Sequence, residues 1–491
     1  MVKGIVEYFG PNKTNYPCGY CKANKPDISS YGLWAHEMST DQYQILIDRT
    51  WRRSGKFCYK SILNKICCPT FAIRCEALNF KPSRSQRKVI KRFNNFIYHG
   101  IKPKSYEKES RNTQESGSRE RESEPQAQRS SSSSKSLESP SNIVDTSTTI
   151  TPTKIHENSS MEEAKVKDPT KKAKYLRLQR RVDKVALRQN CSKELALERI
   201  KEKASKRQQQ STKSFEDYFK KPDNLDKPAH KLEIKFVSTC KDEHIRTFQA
   251  SHKLYEKYQT HVHQDDPSEC TPKQFKRFLI DNPFEAKLFY RGLAHSIPTS
   301  YGSYHMQYWL DDELIVVAVL DILSHSVSSV YLFYDPEYSF LSLGTYSALR
   351  EILLVRDLYK INQSISYYYL GLYIHSCPKM SYKGKFYPSF LLCDQALTWH
   401  PIEKCIQRLS HHSYPRFEDD LNKVDEDSVD IKDDDISILY SRRIYNYSVY
   451  KVLTKNQDSD EVYEYARLIG KRSTKNILLY RKEENADCSS N

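Results

Sequence analysis

The chain has 491 residues, 38% hydrophobic and 29% charged, with a formal net charge of +16. A length of this order predicts two or three domains, and so low an apolar share predicts that part of the chain stays outside any core. The longest apolar run, Leu314 to Leu320, is far too short to cross a bilayer, and the positive balance favours an anionic partner, nucleic acid first.

The opening Met1-Val-Lys-Gly-Ile-Val-Glu7 lacks an apolar h-region. No secretory signal is expected, and cytosol or nucleus is the expected compartment. Thirteen cysteines occur, six of them before Phe80. Cys18-Gly-Tyr-Cys21 has the two-residue gap that lets both thiolates reach one tetrahedral ion, and the adjacent Cys67-Cys68 can supply two more ligands where the chain turns before Pro69. Four such thiolates suit Zn²⁺ or an iron–sulfur cluster, and in a reducing compartment paired cysteines more often mean metal than disulfide. Four buried or free thiols are the plain alternative.

Ser39-Thr40 is a helix cap, and Tyr43, Leu46 and Ile47 give the helix its apolar face. After Gly55, the stretch 56–60 alternates like a strand. Trp51-Arg-Arg-Ser-Gly-Lys56 and Lys81-Pro-Ser-Arg-Ser-Gln-Arg-Lys88 are basic, and the stretch from Lys81 to Lys104 has no acidic residue and has Tyr and Phe interleaved. Such stretches suit phosphates and unpaired bases, which makes Arg52, Arg53, Lys56, Arg84, Arg87 and Lys88 candidate nucleic-acid contacts; a solvated basic face is the alternative.

Residues 105–170 are rich in Glu, Arg, Ser, Thr and Pro and read as a disordered linker. Residues 171–210 read as one long charged helix with a thin stripe of Leu176, Val182, Val185, Leu195 and Ile200. A second folded unit starts near Lys231 with a strand over 231–237, a helix over 251–258 and a short amphipathic helix over 274–280. His261-x-His263 reads as two ordinary histidines. Strands follow over 301–309 and 314–320, joined by a turn at Asp311-Asp312-Glu313, and then over 327–334; the middle one is apolar throughout and buried on both faces. Asp335-Pro336 ends the third strand, Leu343-Gly344 leads into a helix over 345–359, and a strand spans 364–374. The acidic tract Asp419 to Asp435 reads as a solvated loop, and the apolar residues after Ser437 fold back.

Hairpin, strand, loop, helix, strand is an α/β order. It resembles the N-acetyltransferase (GNAT) superfamily, whose two neighbouring strands splay apart to admit a donor. Acetyl-CoA users bind pyrophosphate with a Gly-rich turn before the helix. Here Ser339-Phe-Leu-Ser-Leu-Gly344 holds one glycine, so no CoA is expected. Cys18-Gly-Tyr-Cys21, Gly32-Leu-Trp-Ala-His36, Trp51-Arg-Arg-Ser-Gly-Lys56, Cys67-Cys-Pro69, Leu320-Asp-Ile322, Ser328-Ser-Val-Tyr331, Tyr334-Asp-Pro336, Ser342-Leu-Gly344, Leu349-Arg-Glu351 and Cys377-Pro-Lys-Met-Ser-Tyr-Lys383 together resemble the eukaryotic arginyl-tRNA–protein transferases, over residues 10–100 and 230–400.

The resemblance implies transfer of arginine from Arg-tRNA to the α-amine of proteins beginning with Asp, Glu or oxidised Cys, marking them for ubiquitin-dependent degradation (the N-end rule). It implies an α+β or α/β architecture: a Cys-rich metal-binding domain over 1–104, linker and charged helix over 105–230, a GNAT-like aminoacyl transferase domain over 231–410, and an acidic segment with a fold-back over 411–491. Partners would be Arg-tRNA and proteins with acidic N-termini, with no membrane. An acidic acceptor side chain wants cations, for which Arg350, Lys379 and Lys383 are available; the donor guanidinium wants a carboxylate, for which Asp321, Asp335 and Glu351 are available. Asp335 holds a place similar to the acidic residue of bacterial leucyl/phenylalanyl transferases and is a catalytic candidate. His305 is a second candidate, as base or RNA contact, with a satisfied structural histidine as its alternative. The rival functions are a metal-bearing RNA-binding adaptor with a non-catalytic acyltransferase-like domain, and an ordinary N-acetyltransferase.

Overall fold

The computed structural model describes residues 4–14, 17–23, 27–103, 169–209, 213–223, 225, 227–292, 296–455 and 457–483. They fall into two units, one from Met1–Glu109 with Ser214–Asn491 and one from Ser110–Lys213. Most of the linker expected over 105–170 lies outside the described residues. No described helix is long and apolar enough to cross a membrane.

The larger unit is mixed α/β and contains two sheets. The nine-stranded sheet runs in the spatial order Thr398–Pro401, Ser389–Cys393, Phe71–Glu76, Tyr367–Tyr373, Ser326–Tyr334, Glu313–Ile322, Ser300–Leu310 and Leu232–Ser238, with Lys287–Leu288 paired to Ser300–Leu310. Its centre is the long hairpin of Ser300–Leu310 and Glu313–Ile322. Asp311 and Asp312, at φ 49° and 68°, make the tight turn whose twist suits a hairpin. Every residue from Leu314 to Ile322 is buried, as an apolar strand covered on both faces must be.

Phe71–Glu76, from the N-terminal stretch, is inserted between Tyr367–Tyr373 and Ser389–Cys393 and is antiparallel to both. The boundary expected near residue 104 therefore does not separate two folded bodies. Helix Arg84–His99 follows, capped by Ser83 through a reciprocal pair with Gln86 and ended by Gly100 at φ 66°. Its Phe93 stacks on Tyr346 of helix Leu343–Ile361 with ring centres 3.6 Å apart. The aromatic residues expected to meet nucleic acid bases here, Phe93 and Phe96, are core.

The seven-stranded sheet runs Arg443–Asn446, Ser437–Tyr440, Ile477–Tyr480, Gly4–Thr14, Asp27–Glu37, Phe57–Ser61 and Arg52–Ser54. Its first and last segments lie side by side and parallel, Gly4–Val6 against Ile477–Leu479. Ser39 caps helix Thr40–Asp48 by a box with Gln42. The acidic tract is wired into this half of the molecule: buried Arg49 pairs with Asp425 and Asp427, Lys451 with Asp433, and Lys471 and Lys475 with Asp435. The solvated loop expected there is a set of ion pairs tying 425–435 to the chain's two ends.

A buried ion pair joins the sheets. Arg53, from the edge strand Arg52–Ser54, donates through Nε and Nη2 to both oxygens of Asp321 at 2.7 and 2.6 Å and through Nη2 to Ser303 Oγ at 2.9 Å. Both side chains are buried. Burial works against the Arg53 charge, and the Asp321 carboxylate outweighs it. This corrects two expectations: Arg53 has no face for tRNA, and Asp321 none for a substrate guanidinium.

In the smaller unit, the single helix expected over 171–210 is two, Pro169–Gln189 and Lys193–Gln209. Asn190 takes φ 45° and Ser192 Oγ accepts from Leu195 N–H, so the chain reverses. Val182 then packs against Ala196 and Ile200. A thin stripe finds more burial in a hairpin than along one helix.

R53M leaves a carboxylate buried without a partner and is expected to cost about 3–5 kcal/mol in urea unfolding, with R53M/D321L recovering most of it. A shift under about 1 kcal/mol for R53M would show that the sheets do not depend on the pair.

Candidate active-site cleft and metal centre

Ser326–Tyr334 and Tyr367–Tyr373 are parallel neighbours, but their pairing lasts only from Ser326–Tyr367 to Ser328–Tyr369. Beyond it the strands part. The pairing of Ser326–Tyr334 with Glu313–Ile322 shifts between Ser329 and Tyr331, and that of Tyr367–Tyr373 with Phe71–Glu76 shifts between Tyr369 and Leu372. Gly371, at φ 75°, sits in the second irregularity. A bulge on each strand bends it away from its neighbour. The result is a cleft of about 430 Å³.

Its walls come from both sheets. Ser329–Leu332 and Leu370–Leu372 line the two arms, helix Leu343–Ile361 supplies Gly344, Ala348 and Glu351, and the loop after Tyr373 supplies Met380, Tyr382 and Lys383. The seven-stranded sheet adds Arg52 and Tyr59, and the Cys18–Cys21 loop adds Tyr20.

Among the described lining residues, Glu351 is the only carboxylate. It is buried; Ser347 Oγ and Tyr368 OH each donate to it at 2.6 Å. Burial raises its pKa despite those donors. Lys383 Nζ donates to Leu372 O at 2.9 Å, and burial, helped by nearby Arg52, lowers the ammonium to about 8. Arg52 is 6% exposed and donates to the carbonyls of Ile47, Trp51 and Gly371 at 3.0, 2.6 and 3.3 Å.

The remaining candidates lie elsewhere. His305 is 1% exposed, and its Nε2 lies 3.0 Å from Leu279 O. Burial lowers its pKa to about 4, so it is a neutral core group rather than a base facing a substrate. Asp335 caps the turn after its strand, accepting from Glu337 N–H at 3.0 Å and pairing with Lys257 at 2.8 Å, outside the cleft lining. Arg350 lies over the rings of Phe219 and Tyr346 and donates to Tyr346 OH at 2.9 Å; it holds the helix to its neighbours. Lys379 is exposed and not part of the lining. Lys56 donates to His36 O at 3.2 Å. Of the six basic residues expected at tRNA, Arg84, Arg87 and Lys88 are exposed together on helix Arg84–His99, while Arg52 and Arg53 are buried. Sequence reading missed Tyr20, Tyr59 and the placement of Arg52, because only the meeting of the two sheets puts them at the cleft.

The four cysteines do converge. Lys22 N–H returns to Cys18 O at 2.9 Å, which curls 18–22 into a knuckle. All four Sγ atoms of Cys18, Cys21, Cys67 and Cys68 lie within 4.8 Å of one another. Sulfurs around one tetrahedral zinc stand about 3.8 Å apart, given Zn–S bonds of about 2.3 Å. The donor set and its spacing fit a metal. Burial opposes a Cys18 thiolate, but the backbone N–H groups of Cys21 and Tyr20 outweigh it and bring the thiol down to about 7.

Two family descriptions match the chain: "Arginine-tRNA-protein transferase, N terminus" over residues 16–88 and "Arginine-tRNA-protein transferase, C terminus" over 250–393. The chain is 35% identical to arginyl-tRNA–protein transferase 1 of Drosophila melanogaster, over 98% of this chain and 100% of that protein. It is 30% identical to arginyl-tRNA–protein transferase 1 of Arabidopsis thaliana, over 84% and 75%, and 27% identical to arginyl-tRNA–protein transferase 1 of Dictyostelium discoideum, over 95% and 96%.

C67S is expected to lower bound metal, measured by elemental analysis of the purified protein, and to lower the melting temperature with it; unchanged metal content would remove Cys67 from the ligand set. For His305, the unfolded chain takes up a proton below about pH 6.5 and the folded one only below about 4. Stability should therefore fall as pH drops through that window, by up to about 1.4 kcal/mol per unit. H305Q, which keeps a donor for Leu279 O, should flatten the slope; identical slopes would show the ring is not held neutral.

Proposed function

The chain belongs to the arginine-tRNA-protein transferase family, and from that premise we propose that it moves arginine from Arg-tRNA onto the α-amine of proteins with acidic N-termini, with the cleft between the parted strands as the site of transfer. The observation that carries this reading is the cleft itself: two parallel strands that pair for three residues and then separate around a pocket holding both signs of charge. Such a splay supports a GNAT-like architecture for the nine-stranded sheet. The acyl donor is not CoA on this reading, because the loop before helix Leu343–Ile361 is a 3₁₀ turn, Pro336–Leu341, ended by Ser342, without the run of glycines a pyrophosphate needs.

The donor is already an activated ester, so no covalent enzyme intermediate is required. The acceptor nitrogen bonds to the arginyl carbonyl carbon, the bond to the ribose oxygen breaks, and the proton lost by the amine is matched by one gained at that oxygen. An α-ammonium has a reference pKa near 8, so a modest base suffices. The chain's contribution is placement and charge. Glu351, buried and held by Ser347 and Tyr368, is the carboxylate that takes the donor guanidinium. Exposed Arg84, Arg87 and Lys88 offer phosphate contacts along one helix face. The cysteine quartet holds Zn²⁺ or an iron–sulfur cluster, which anaerobic visible absorption tells apart; either would crosslink the knuckle that carries Tyr20 to Cys67-Cys68. Transfer marks its targets for ubiquitin-dependent degradation, in cytosol or nucleus.

The test supplies labelled Arg-tRNA or labelled acetyl-CoA with a peptide beginning with Asp. Label on the peptide's α-amine from Arg-tRNA alone is expected. Label from acetyl-CoA, or tRNA binding without transfer, overturns the reading in favour of an acetyltransferase or an adaptor. E351Q should lower kcat/KM for Arg-tRNA roughly 30- to 150-fold, the worth of about 2–3 kcal/mol for a charged hydrogen bond; an unchanged value removes Glu351 from donor recognition.

A further inference from the structure

Arg52 is a buried cation that forms no ion pair with a described residue, although the Asp48 carboxylate favours its charge from a distance. Its hydrogen-bond acceptors among the described residues are three backbone carbonyls. Its Nε–H is buried and has no acceptor there. Burying a charge without an opposite charge is costly, and an orphaned buried donor adds to the cost. Neighbouring Arg53 meets that cost with Asp321. Arg52 does not, yet it is held firmly in place at the cleft wall.

A second cation stands beside it. Arg52 Nη2 lies 3.3 Å from Gly371 O, and Lys383 Nζ lies 2.9 Å from the next carbonyl, Leu372 O. Lys383 Nζ lies 3.8 Å from where a Cβ at Gly371 would stand, which is ordinary contact distance and places the ammonium beside the bend. No ion pair to Lys383 occurs among the described residues either. The two cations donate to consecutive carbonyls of the bent strand at the cleft wall, and the Arg52 charge works against that of Lys383. The Glu351 carboxylate is close enough to favour the Lys383 charge, but it is held by Ser347 and Tyr368 and forms no ion pair with either cation, so neither has a paired anion among the described residues.

We infer that Arg52 and Lys383 form the subsite that receives the side-chain carboxylate of the acceptor's first residue, with Arg52 as a specificity-determining residue. The inference rests on the transferase reading above. An Asp or Glu side chain is one carboxylate on one or two methylenes, which suits a guanidinium N–H and an ammonium meeting in a narrow pocket. The phosphates of a tRNA backbone are bulkier and meet exposed cations such as Arg84, Arg87 and Lys88 instead. A neutral amide in place of the carboxylate would leave both cations uncompensated, which is how a polar site rejects a near-isostere.

The experiment measures steady-state transfer to two peptides that differ only in starting with Asp or Asn, using the intact protein, R52Q and K383Q. The wild-type preference for Asp is expected to shrink about thirtyfold or more in each variant, through the KM of the Asp peptide, with the KM of Arg-tRNA unchanged. Thermal melts accompany both variants; where R52Q melts early, K383Q, which alters a half-buried side chain, decides. An undiminished preference overturns the inference. So does a loss shared equally by both peptides, which would mean a general charge effect on the reacting carbonyl, or one seen in the KM of Arg-tRNA, which would mean a phosphate contact. Wild-type protein that transfers nothing to the Asp peptide would instead refute the transferase reading and is read separately.

Discussion

The ion pair between Arg53 and Asp321 sets the rest of the molecule. A buried guanidinium and carboxylate bonded through both oxygens tolerate little slippage, because any gap leaves two charges unsolvated. The pair pins the edge strand Arg52–Ser54 of one sheet to the central hairpin of the other. Everything presented by that edge strand and its partner Phe57–Ser61 is thereby placed against the parted strands. Arg52, one residue away, becomes part of the cleft wall for that reason, and Tyr59 joins it.

The cleft is a backbone property before it is a side-chain one. Two irregularities, one on each arm, turn neighbouring parallel strands apart after three paired residues. Gly371 permits the left-handed backbone of one of them. Side chains then divide the opening by charge. Glu351 lies on the helix side, while Arg52 and Lys383 flank the Gly371–Leu372 carbonyls. A reaction that joins a cationic aminoacyl group to a residue with an anionic side chain needs both signs in one narrow space, and neither sign can be diluted by water there.

The cysteine cluster is a neighbour of this space rather than its centre. Aminoacyl transfer from an ester needs no electron transfer and no metal-activated nucleophile. The four thiols instead gather a knuckle and the Cys67-Cys68 turn, and Tyr20, one of the two residues between Cys18 and Cys21, lines the cleft. A metal at the quartet would therefore stiffen one wall of the cleft. The far end of the chain contributes in a similar structural way, because ion pairs from Asp425, Asp427, Asp433 and Asp435 close the seven-stranded sheet around the chain's two ends.

Several features were legible in the sequence because they are local. Period-two alternation and a wholly apolar run announced the central hairpin, the Ser39 cap rests on a residue three positions away, and the cysteine spacing marked the four thiols that converge. The motif string Cys18-Gly-Tyr-Cys21 through Cys377-Pro-Lys-Met-Ser-Tyr-Lys383 announced the family. Tertiary structure alone decided which charges are free. Arg52, Arg53, Asp321, His305, Glu351 and Lys383 read alike from sequence, as polar residues beside strands or helices, but burial and pairing depend on what the fold places beside each, which for Arg52 and Arg53 comes from hundreds of positions away. Arg53 and Asp321 neutralise each other across 268 residues, His305 is locked into a carbonyl in the core, and Lys379 is left in solvent while Lys383, one helical turn on, enters the cleft. A residue's charge is written in its own side chain; its availability is set by what the fold places next to it.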